Sequence, residues 1–190
     1  MVVTSKLPAE QSSRPVLSVL FVCTGNVCRS PFAERLLARR SPELKVSSRG
    51  IFALEGNPID APMAVELEAR HGDPSNFHAQ QVSPADLQAD LVLTMSRRQR
   101  IHLLEDYPHA VRKIGLLGGA PELAAIRHRH PESPLRDVIS DWSRTTVPGD
   151  RDVPDPYRQG APAAATSAAL ISDLIDQLVP VLRSARVRPG

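Results

Sequence analysis

The feature that most constrains the fold is an apolar segment, residues 16–22, that leads through a short loop into a helical pattern. The segment is rich in β-branched and aromatic residues, which predicts a strand buried on both faces. After the loop, Ser30 is predicted to cap a helix and Pro31 to occupy its first position, because apolar residues then recur at helical spacing. The sequence therefore predicts a strand, a tight loop and a helix in direct succession.

The loop itself, residues 23–29, combines a thiol, small residues and an arginine. Backbone N–H groups at the start of a helix point into such a loop and, with the helix dipole, attract anions. Gly25 and Asn26 are residue types that adopt positive φ angles easily, and both are predicted to do so here. Arg29 offers paired donors to a phosphate, and the same positive field favours the thiolate form of Cys23. A nucleophile and an anion site are therefore predicted together.

Three further apolar segments alternate with helical patterns and are predicted to be strands: residues 44–48, 91–95 and 111–117. Such alternation indicates right-handed βαβ units. The predicted fold class is α/β, with three layers and a four-stranded parallel sheet flanked by helices, of the Rossmann-like type. Ligands of such sheets bind beyond the carboxyl ends of the strands, which is where the Cys23 loop lies. A long final helix is predicted to end or kink at Pro180.

Length and composition indicate how the chain is organised. At 190 residues and 42% hydrophobic content, the chain suits a globular domain. We expect a flexible N-terminal lead over residues 1–15 and a single domain over residues 16–185, with an irregular excursion and short helices over residues 118–150. The histidines and arginines at 127–130 could bind a metal or a phosphoprotein, but a solvated surface is favoured because no cysteine or carboxylate lies at ligand spacing.

Charge and cysteine content limit the partners and the compartment. The 23 basic and 21 acidic residues are too balanced to indicate a nucleic-acid partner. No apolar run reaches the roughly 18 residues of a membrane span and no signal peptide is present, so membrane insertion is not expected. Both cysteines lie in the one loop, which fits a reducing compartment. We therefore expect a cytoplasmic monomer.

The string VLFVCTGNVCRSP joins a cysteine, five further residues, an arginine and a serine. It resembles the signature of the low-molecular-weight protein tyrosine phosphatase family. The resemblance implies the phosphotyrosine protein phosphatase I-like fold, no metal or cofactor, and hydrolysis of phosphotyrosine in proteins or peptides through a phosphocysteine. It implies that Cys23 is the nucleophile and that Arg29 binds the phosphate in catalysis. The substrate-binding residues that it implies are Thr24, Gly25, Asn26, Val27, Cys28, Ser30 and Tyr157.

A second segment resembles the family's Asp-Pro-Tyr acid loop and implies that Asp155 is the general acid. Expelling a phenolate, whose conjugate acid has a pKa of about 10, benefits from a proton donor. Asp150 and Asp152 are the competing candidates. Tyr157 is expected to stack on the substrate ring. Arg158 stands where relatives often have a second aromatic residue, which predicts either a weaker grip on the ring or a preference for acidic peptides.

The resemblance also suggests roles for other loop residues. It implies that Asn26 holds the loop through polar partners, of which Ser48 is favoured, and that Ser30 stabilises the departing thiolate by a hydrogen bond. Cys28 has two interpretations of equal weight. It could form a reversible disulfide with Cys23 that protects the nucleophile, or it could be a small packing residue.

Three alternative functions use the same fold or loop. Arsenate reductase chemistry passes an oxidised thiol to further cysteines, and this chain has none after Cys28. Relatives that hydrolyse phosphoarginine carry threonine where this loop has Val27, so an apolar residue there favours phosphotyrosine. A phosphopeptide-binding module without turnover would be expected if Cys23, Arg29 or Asp155 had been replaced.

Overall fold

The computed structural model describes residues 16–184, so the predicted lead over residues 1–15 lies outside the described residues. Four parallel strands form one sheet in the order β2-β1-β3-β4. The strands are β1 Ser18–Cys23, β2 Lys45–Gly50, β3 Leu91–Thr94 and β4 Ile114–Leu116. The helices are α1 Arg29–Arg40, α2 Ala61–Glu68, α3 Arg97–Asp106, α4 Ala120–Arg129, α5 Leu135–Ser143 and α6 Gly160–Ser184. The predicted α/β class and four-stranded parallel sheet are confirmed.

Side chains of β1 are divided between two hydrophobic cores. Val19 and Phe21 belong to the larger core, on the face covered by α1, α2, α4, α5 and α6. Leu20 and Val22 belong to the smaller core, to which α3 contributes Leu103. Successive side chains of a strand point to opposite faces, so a strand covered on both sides reads as a continuous apolar run.

The sheet order places the end of β1 at a topological switch point. The chain passes from β1 to β2, which lies on one side of β1, and then crosses to β3, which lies on the other side of β1. Cys23 pairs with Gly50 and Val22 with Thr94 at the carboxyl edge of the sheet. Doubly wound sheets bind ligands at this position, because the loops diverge there and leave a crevice.

Three details of the predicted elements are wrong. Helix α1 begins at Arg29, with Cys28 at the N-cap position and no side-chain cap, because Ser30 forms hydrogen bonds to other loop residues instead. Strand β4 is shorter than predicted, since Val111 follows a 3-10 turn and is 43% exposed. Helix α6 continues through Pro180 and does not end there, whereas a kink at this residue stays a prediction; Pro180 is exposed, and Val181 and Leu182 after it are buried.

Residues 118–150 contain α4 and α5, which pack on each other. Trp142 of α5 is fully buried and donates its indole N–H to the Gly119 carbonyl at 2.7 Å. A Cβ atom on Gly115 would lie 2.0 Å from this indole ring, so the glycine lets α5 approach the sheet. At the end of α4, His128 and His130 are exposed.

Helix α6 is the one helix within residues 16–184 that is long and apolar enough to cross a membrane. Half of that stretch is buried inside the protein, where α6 contacts α1, α2 and α4. Ile171, Ile175 and Leu178 are fully buried along one side of the helix. This packing is that of a core helix in a globular protein.

Candidate active site

The loop after β1 encloses the sulfur of Cys23. Its Sγ accepts a hydrogen bond from the Asn26 N–H at 3.3 Å and lies 3.0 Å from the Ser30 hydroxyl oxygen. Asn26 has a φ of 55°, as predicted, but the expected positive φ at Gly25 is wrong. One left-handed residue is enough to turn this loop. The Asn26 N–H and the Ser30 hydroxyl thus hold the sulfur in position within the loop.

The Asn26 side chain holds the loop from behind the sulfur and is completely buried. Its amide donates to the Ser30 hydroxyl at 2.9 Å and to the Ser48 hydroxyl at 2.9 Å. Its carbonyl accepts from the Gln80 N–H at 2.8 Å. The expected contact between Asn26 and Ser48 is therefore present, and it fastens the loop to β2.

A half-buried carboxyl group extends this network. Ser48 donates its hydroxyl proton to Glu34 of α1 at 2.5 Å, which leaves the Ser48 oxygen free to accept from Asn26. Burial raises the pKa of Glu34 above its ordinary value, and the hydrogen bond from Ser48 only partly opposes that effect. Hydrogen bonds thus run from a carboxyl group on α1 to the cysteine loop. Sequence reasoning missed Glu34, because it occupies an ordinary position in a helical pattern.

Arg29 joins the cysteine loop to the acid loop. Its guanidinium lies 2.6 Å from the Asp155 carboxylate and donates to the Val153 carbonyl at 3.1 Å. Val153 in turn donates its N–H to the Met95 carbonyl, at the end of β3, at 2.8 Å. Within residues 16–184 the buried Nε of Arg29 has no hydrogen-bond partner. An unsatisfied buried donor costs about 1–3 kcal/mol.

The three candidate acids occupy different positions. Asp155 lies at the cavity, and its second carboxylate oxygen accepts from the Tyr157 N–H at 3.2 Å. Asp152 instead accepts from the Arg97 N–H, at the start of α3, at 3.0 Å. Asp150 is exposed and does not line the cavity. Of the three, Asp155 alone is placed beside Arg29 and Cys23.

A cavity of about 160 Å³ opens above the sulfur. Its lining residues are Cys23, Thr24, Gly25, Val27, Cys28, Arg29, Phe52, Leu54, Asp155 and Tyr157. Of the predicted site residues, Asn26 and Ser30 do not line the cavity; they contact the sulfur from behind. The cavity thus brings an apolar opening close to a thiol, a guanidinium and a carboxylate.

Sequence reasoning missed Phe52 and Leu54. They are 63% and 37% exposed, in the turn that follows β2. The Phe52 N–H binds the Thr24 carbonyl at 2.9 Å and the Leu54 N–H binds the Gly25 carbonyl at 3.0 Å, which places this turn beside the cysteine loop. Apolar residues just past the carboxyl end of a strand adjacent to β1 were the available signal.

Gln99 was also missed, although its neighbour Ser96 caps α3 as the sequence predicts. The Gln99 side chain accepts from the Met95 and Ser96 N–H groups at 3.0 and 3.1 Å. Its amide donates to the Thr24 hydroxyl at 3.1 Å. A capping box therefore also fastens the cysteine loop to α3.

Cys28 differs from Cys23 in its surroundings, although both thiols are free. Burial raises the pKa of Cys28 far above its ordinary value, and the carboxylates of Asp60 and Asp155 act in the same direction. Cys28 is therefore a neutral thiol at physiological pH. Its two interpretations, disulfide partner and packing residue, both remain predictions.

Arg158 covers the ring of Tyr157. Its guanidinium carbon lies 5.1 Å from the ring centroid, within the range of a cation–π interaction. Arg158 adopts a φ of 60°, which turns the chain back after the acid loop. The aromatic ring at the cavity thus has a cation beside it.

The first strand of this parallel α/β sheet ends in a loop that presents a cysteine and an arginine to one cavity. This arrangement is that of a cysteine-dependent phosphatase. The family model described as "Low molecular weight phosphotyrosine protein phosphatase" matches residues 18–136. The chain belongs to this family. The predicted family, fold and phosphatase class are confirmed.

Known relatives agree with this assignment. The low molecular weight protein-tyrosine-phosphatase Wzb of Escherichia coli K12 is 33% identical over 172 residues, which cover 90% of this chain and 98% of that protein. The structure of Vibrio vulnificus Wzb in complex with benzylphosphonate superposes with a TM-score of 0.67 at 28% identity, covering 87% of this chain and 99% of that one. The YwlE arginine phosphatase from Geobacillus stearothermophilus has a TM-score of 0.70 at 24% identity, covering 90% and 96%; it shares the fold.

Proposed function

We propose that the protein hydrolyses phosphotyrosine in proteins and peptides through a covalent phosphocysteine on Cys23. The observation that carries the proposal is the convergence of Cys23, Arg29 and Asp155 on one cavity of about 160 Å³. Phe52 and Tyr157 line the same cavity and offer aromatic surfaces to a phenyl ring. A phosphate at the sulfur and a ring at the opening would occupy it together.

In the first step, Arg29 and the loop N–H groups hold the non-bridging phosphate oxygens. The Cys23 thiolate attacks phosphorus in line with the tyrosine oxygen, so that the sulfur–phosphorus bond forms as the phosphorus–oxygen bond breaks. Asp155 gives its proton to the leaving oxygen, which departs as a neutral phenol. The product is a phosphocysteine.

In the second step, Asp155 as a carboxylate takes a proton from water, and the water oxygen attacks phosphorus. The sulfur–phosphorus bond breaks and inorganic phosphate leaves. The Ser30 hydroxyl, 3.0 Å from Sγ, and the Asn26 N–H stabilise the thiolate that is released. Because these contacts already exist around the sulfur, the second step needs little rearrangement behind it.

The ion pair between Arg29 and Asp155 adjusts when substrate binds. A substrate phosphate and the Asp155 carboxylate compete for the Arg29 guanidinium, which Asp155 contacts at 2.6 Å. A bound phosphate replaces the carboxylate there, and Asp155, released from the guanidinium and protonated from solvent, then lies beside the ester oxygen. The carbonyl of Val153 still holds the guanidinium during this exchange.

The cavity supports phosphotyrosine over the alternatives. Val27 lines it with an apolar surface, whereas the resemblance associates threonine at this position with phosphoarginine. An arsenate reductase would need a further cysteine, and the sequence has two, both in the loop. A binding module without turnover is not supported, since the nucleophile, the arginine and the acid are all present.

We also infer a cytoplasmic monomer that works without a metal or cofactor and binds neither nucleic acid nor the membrane interior. A reactive thiol with a second free thiol nearby suits a reducing compartment. Cys23, Arg29 and Asp155 of one chain line the same cavity, so the proposed chemistry needs no residue from a second copy. The nearly equal numbers of acidic and basic residues give no general attraction to nucleic acid.

Hydrolysis of p-nitrophenyl phosphate, a phosphotyrosine peptide and a phosphoarginine peptide tests the proposal. We expect the wild type to prefer the phosphotyrosine peptide and Cys23→Ser to show no turnover. Asp155→Ala should lose about two to four orders of magnitude in kcat with the peptide, because phenolate is a poor leaving group. Asp150→Ala is the matched control, since it removes an exposed carboxylate outside the cavity. Full activity of Cys23→Ser, or equal losses in the two aspartate variants, would contradict the mechanism.

A further inference from the structure

A second cavity lies directly beside the catalytic one. This flanking cavity has a volume of about 400 Å³. Its lining residues are Thr24, Ile51, Phe52, Ser96, Arg98, Gln99 and His102. Thr24 and Phe52 also line the catalytic cavity, so the exposed Phe52 ring separates two adjoining spaces. A peptide held in one can therefore reach the other.

The flanking cavity has a basic lining. Arg98 is exposed and forms no ion pair within residues 16–184. His102 follows one turn later on α3, and its ring centroid lies 5.1 Å from that of Phe52. Asp106 lies 3.7 Å from the His102 ring nitrogen, but it is not one of the lining residues. Among the described residues no carboxylate lines this cavity, so Arg98 is available to a ligand.

We propose that the flanking cavity binds an acidic side chain of the substrate, close in sequence to the phosphotyrosine held over Cys23. This inference rests on the proposed phosphotyrosine phosphatase activity and specifies its substrate class. The Arg98 guanidinium presents paired N–H donors that match a carboxylate. Thr24 and Ser96 also line the cavity and add hydroxyl groups for polar contacts, and Phe52 separates the acidic residue from the phosphotyrosine ring.

The exposure of Arg98 limits how much an acidic residue in the peptide changes kcat/KM. Arg98 is exposed, so the pairing is partly screened and should change kcat/KM by about threefold to tenfold. The contact is remote from the reacting phosphorus and forms equally in the ground state and the transition state. It should therefore lower KM and leave kcat nearly unchanged. Higher ionic strength should weaken the preference.

The experiment uses matched phosphotyrosine peptides in which one glutamate, or an isosteric glutamine, is moved through the three positions on either side of the phosphotyrosine. For each pair, kcat and KM are measured with the wild type, with Arg98→Glu and with Arg112→Glu. Arg112 is an exposed arginine just before β4, at the opposite end of the sheet, and its substitution changes the net charge equally. The ratio of kcat/KM for glutamate to that for glutamine is the readout.

We expect the wild type and Arg112→Glu to prefer glutamate by about threefold to tenfold at one or two positions, through KM. Arg98→Glu should abolish or reverse that ratio. A wild type without the preference, or an unchanged ratio in Arg98→Glu, would overturn the inference while phosphotyrosine hydrolysis itself stands. A wild type that hydrolyses none of these peptides would instead refute the proposed function, and the inference with it.

Discussion

Replacing Asn26 tests how the cysteine loop is held in shape. Its side chain makes three hydrogen bonds, to Ser30, Ser48 and Gln80, of which the first two are buried. At about 0.5–1.5 kcal/mol each, their loss in Asn26→Ala should lower the free energy of unfolding by about 3 kcal/mol. Alanine at a φ of 55° adds about 1 kcal/mol of backbone strain. The expected total is about 4 kcal/mol.

Asn26→Gly separates the two contributions. Glycine loses the same three hydrogen bonds but adopts positive φ without steric cost, so this variant should be about 1 kcal/mol more stable than Asn26→Ala. Urea unfolding of wild type and both variants, with m-values checked for equality, gives the comparison. Two variants within 1 kcal/mol of the wild type would show that the network contributes little. Equal stability of the alanine and glycine variants would refute the contribution from backbone strain.

The same variants should lose activity. Without the Asn26 amide, the Ser30 hydroxyl is no longer fixed against the sulfur of Cys23. We expect kcat for p-nitrophenyl phosphate to fall at least about tenfold in Asn26→Gly, because a misplaced hydrogen bond to a developing thiolate costs transition-state stabilisation. An unchanged kcat in a folded Asn26→Gly would show that the position of Ser30 does not depend on Asn26.

Three further predictions concern stability. Burial raises the pKa of Glu34 in the folded protein above its ordinary value of 4.5, so the wild type should lose stability as pH rises from 4.5 through the pKa of the folded state. Urea midpoints measured against pH should show a flatter slope for Glu34→Gln. Gly50→Ala would place a Cβ atom 2.6 Å from a backbone oxygen and should cost about 1–3 kcal/mol in urea unfolding, whereas Gly149→Ala, with nothing within 4 Å, should cost almost nothing. Trp142→Phe removes the indole hydrogen bond to Gly119 and part of a buried ring, and should lower the unfolding free energy by about 2 kcal/mol.

Each of these has a result that contradicts it. A pH profile that is equally steep in wild type and Glu34→Gln would show that another group causes the slope. Equal stability of Gly50→Ala and Gly149→Ala would mean that the cysteine loop at Thr24 and the turn after β2 move away at no cost. A Trp142→Phe variant as stable as the wild type would show that α5 repacks without its hydrogen bond.

The sequence predicted the features that depend on local patterns. The apolar run before Cys23 indicated a fully buried strand, because a strand covered on both faces has no polar alternation. Ser96 was correctly predicted to cap α3, since capping depends on residues within one turn. The loop residues around the sulfur were found because they form a continuous string.

Features that depend on distant contacts were missed or assigned wrongly. Ser30 was predicted to cap α1, but it lies inside the helix and forms hydrogen bonds with the Cys23 sulfur and the Asn26 amide instead. Phe52 and Leu54 lie in a turn without periodicity, and they reach the cavity through the pairing of β1 with β2 and two backbone hydrogen bonds to the cysteine loop. No local pattern reveals such a juxtaposition.

The attachment of the acid loop has a consequence for how this family can vary. Val153 is bound to the end of β3 and Asp152 to the first N–H of α3, so the chain is anchored just before Asp155. Insertions or deletions between β4 and Asp152 therefore leave the position of the Asp155 carboxyl group relative to the Cys23 sulfur unchanged. The mostly exposed turn between α4 and α5 can thus change in length and acquire new surfaces while the chemistry is preserved.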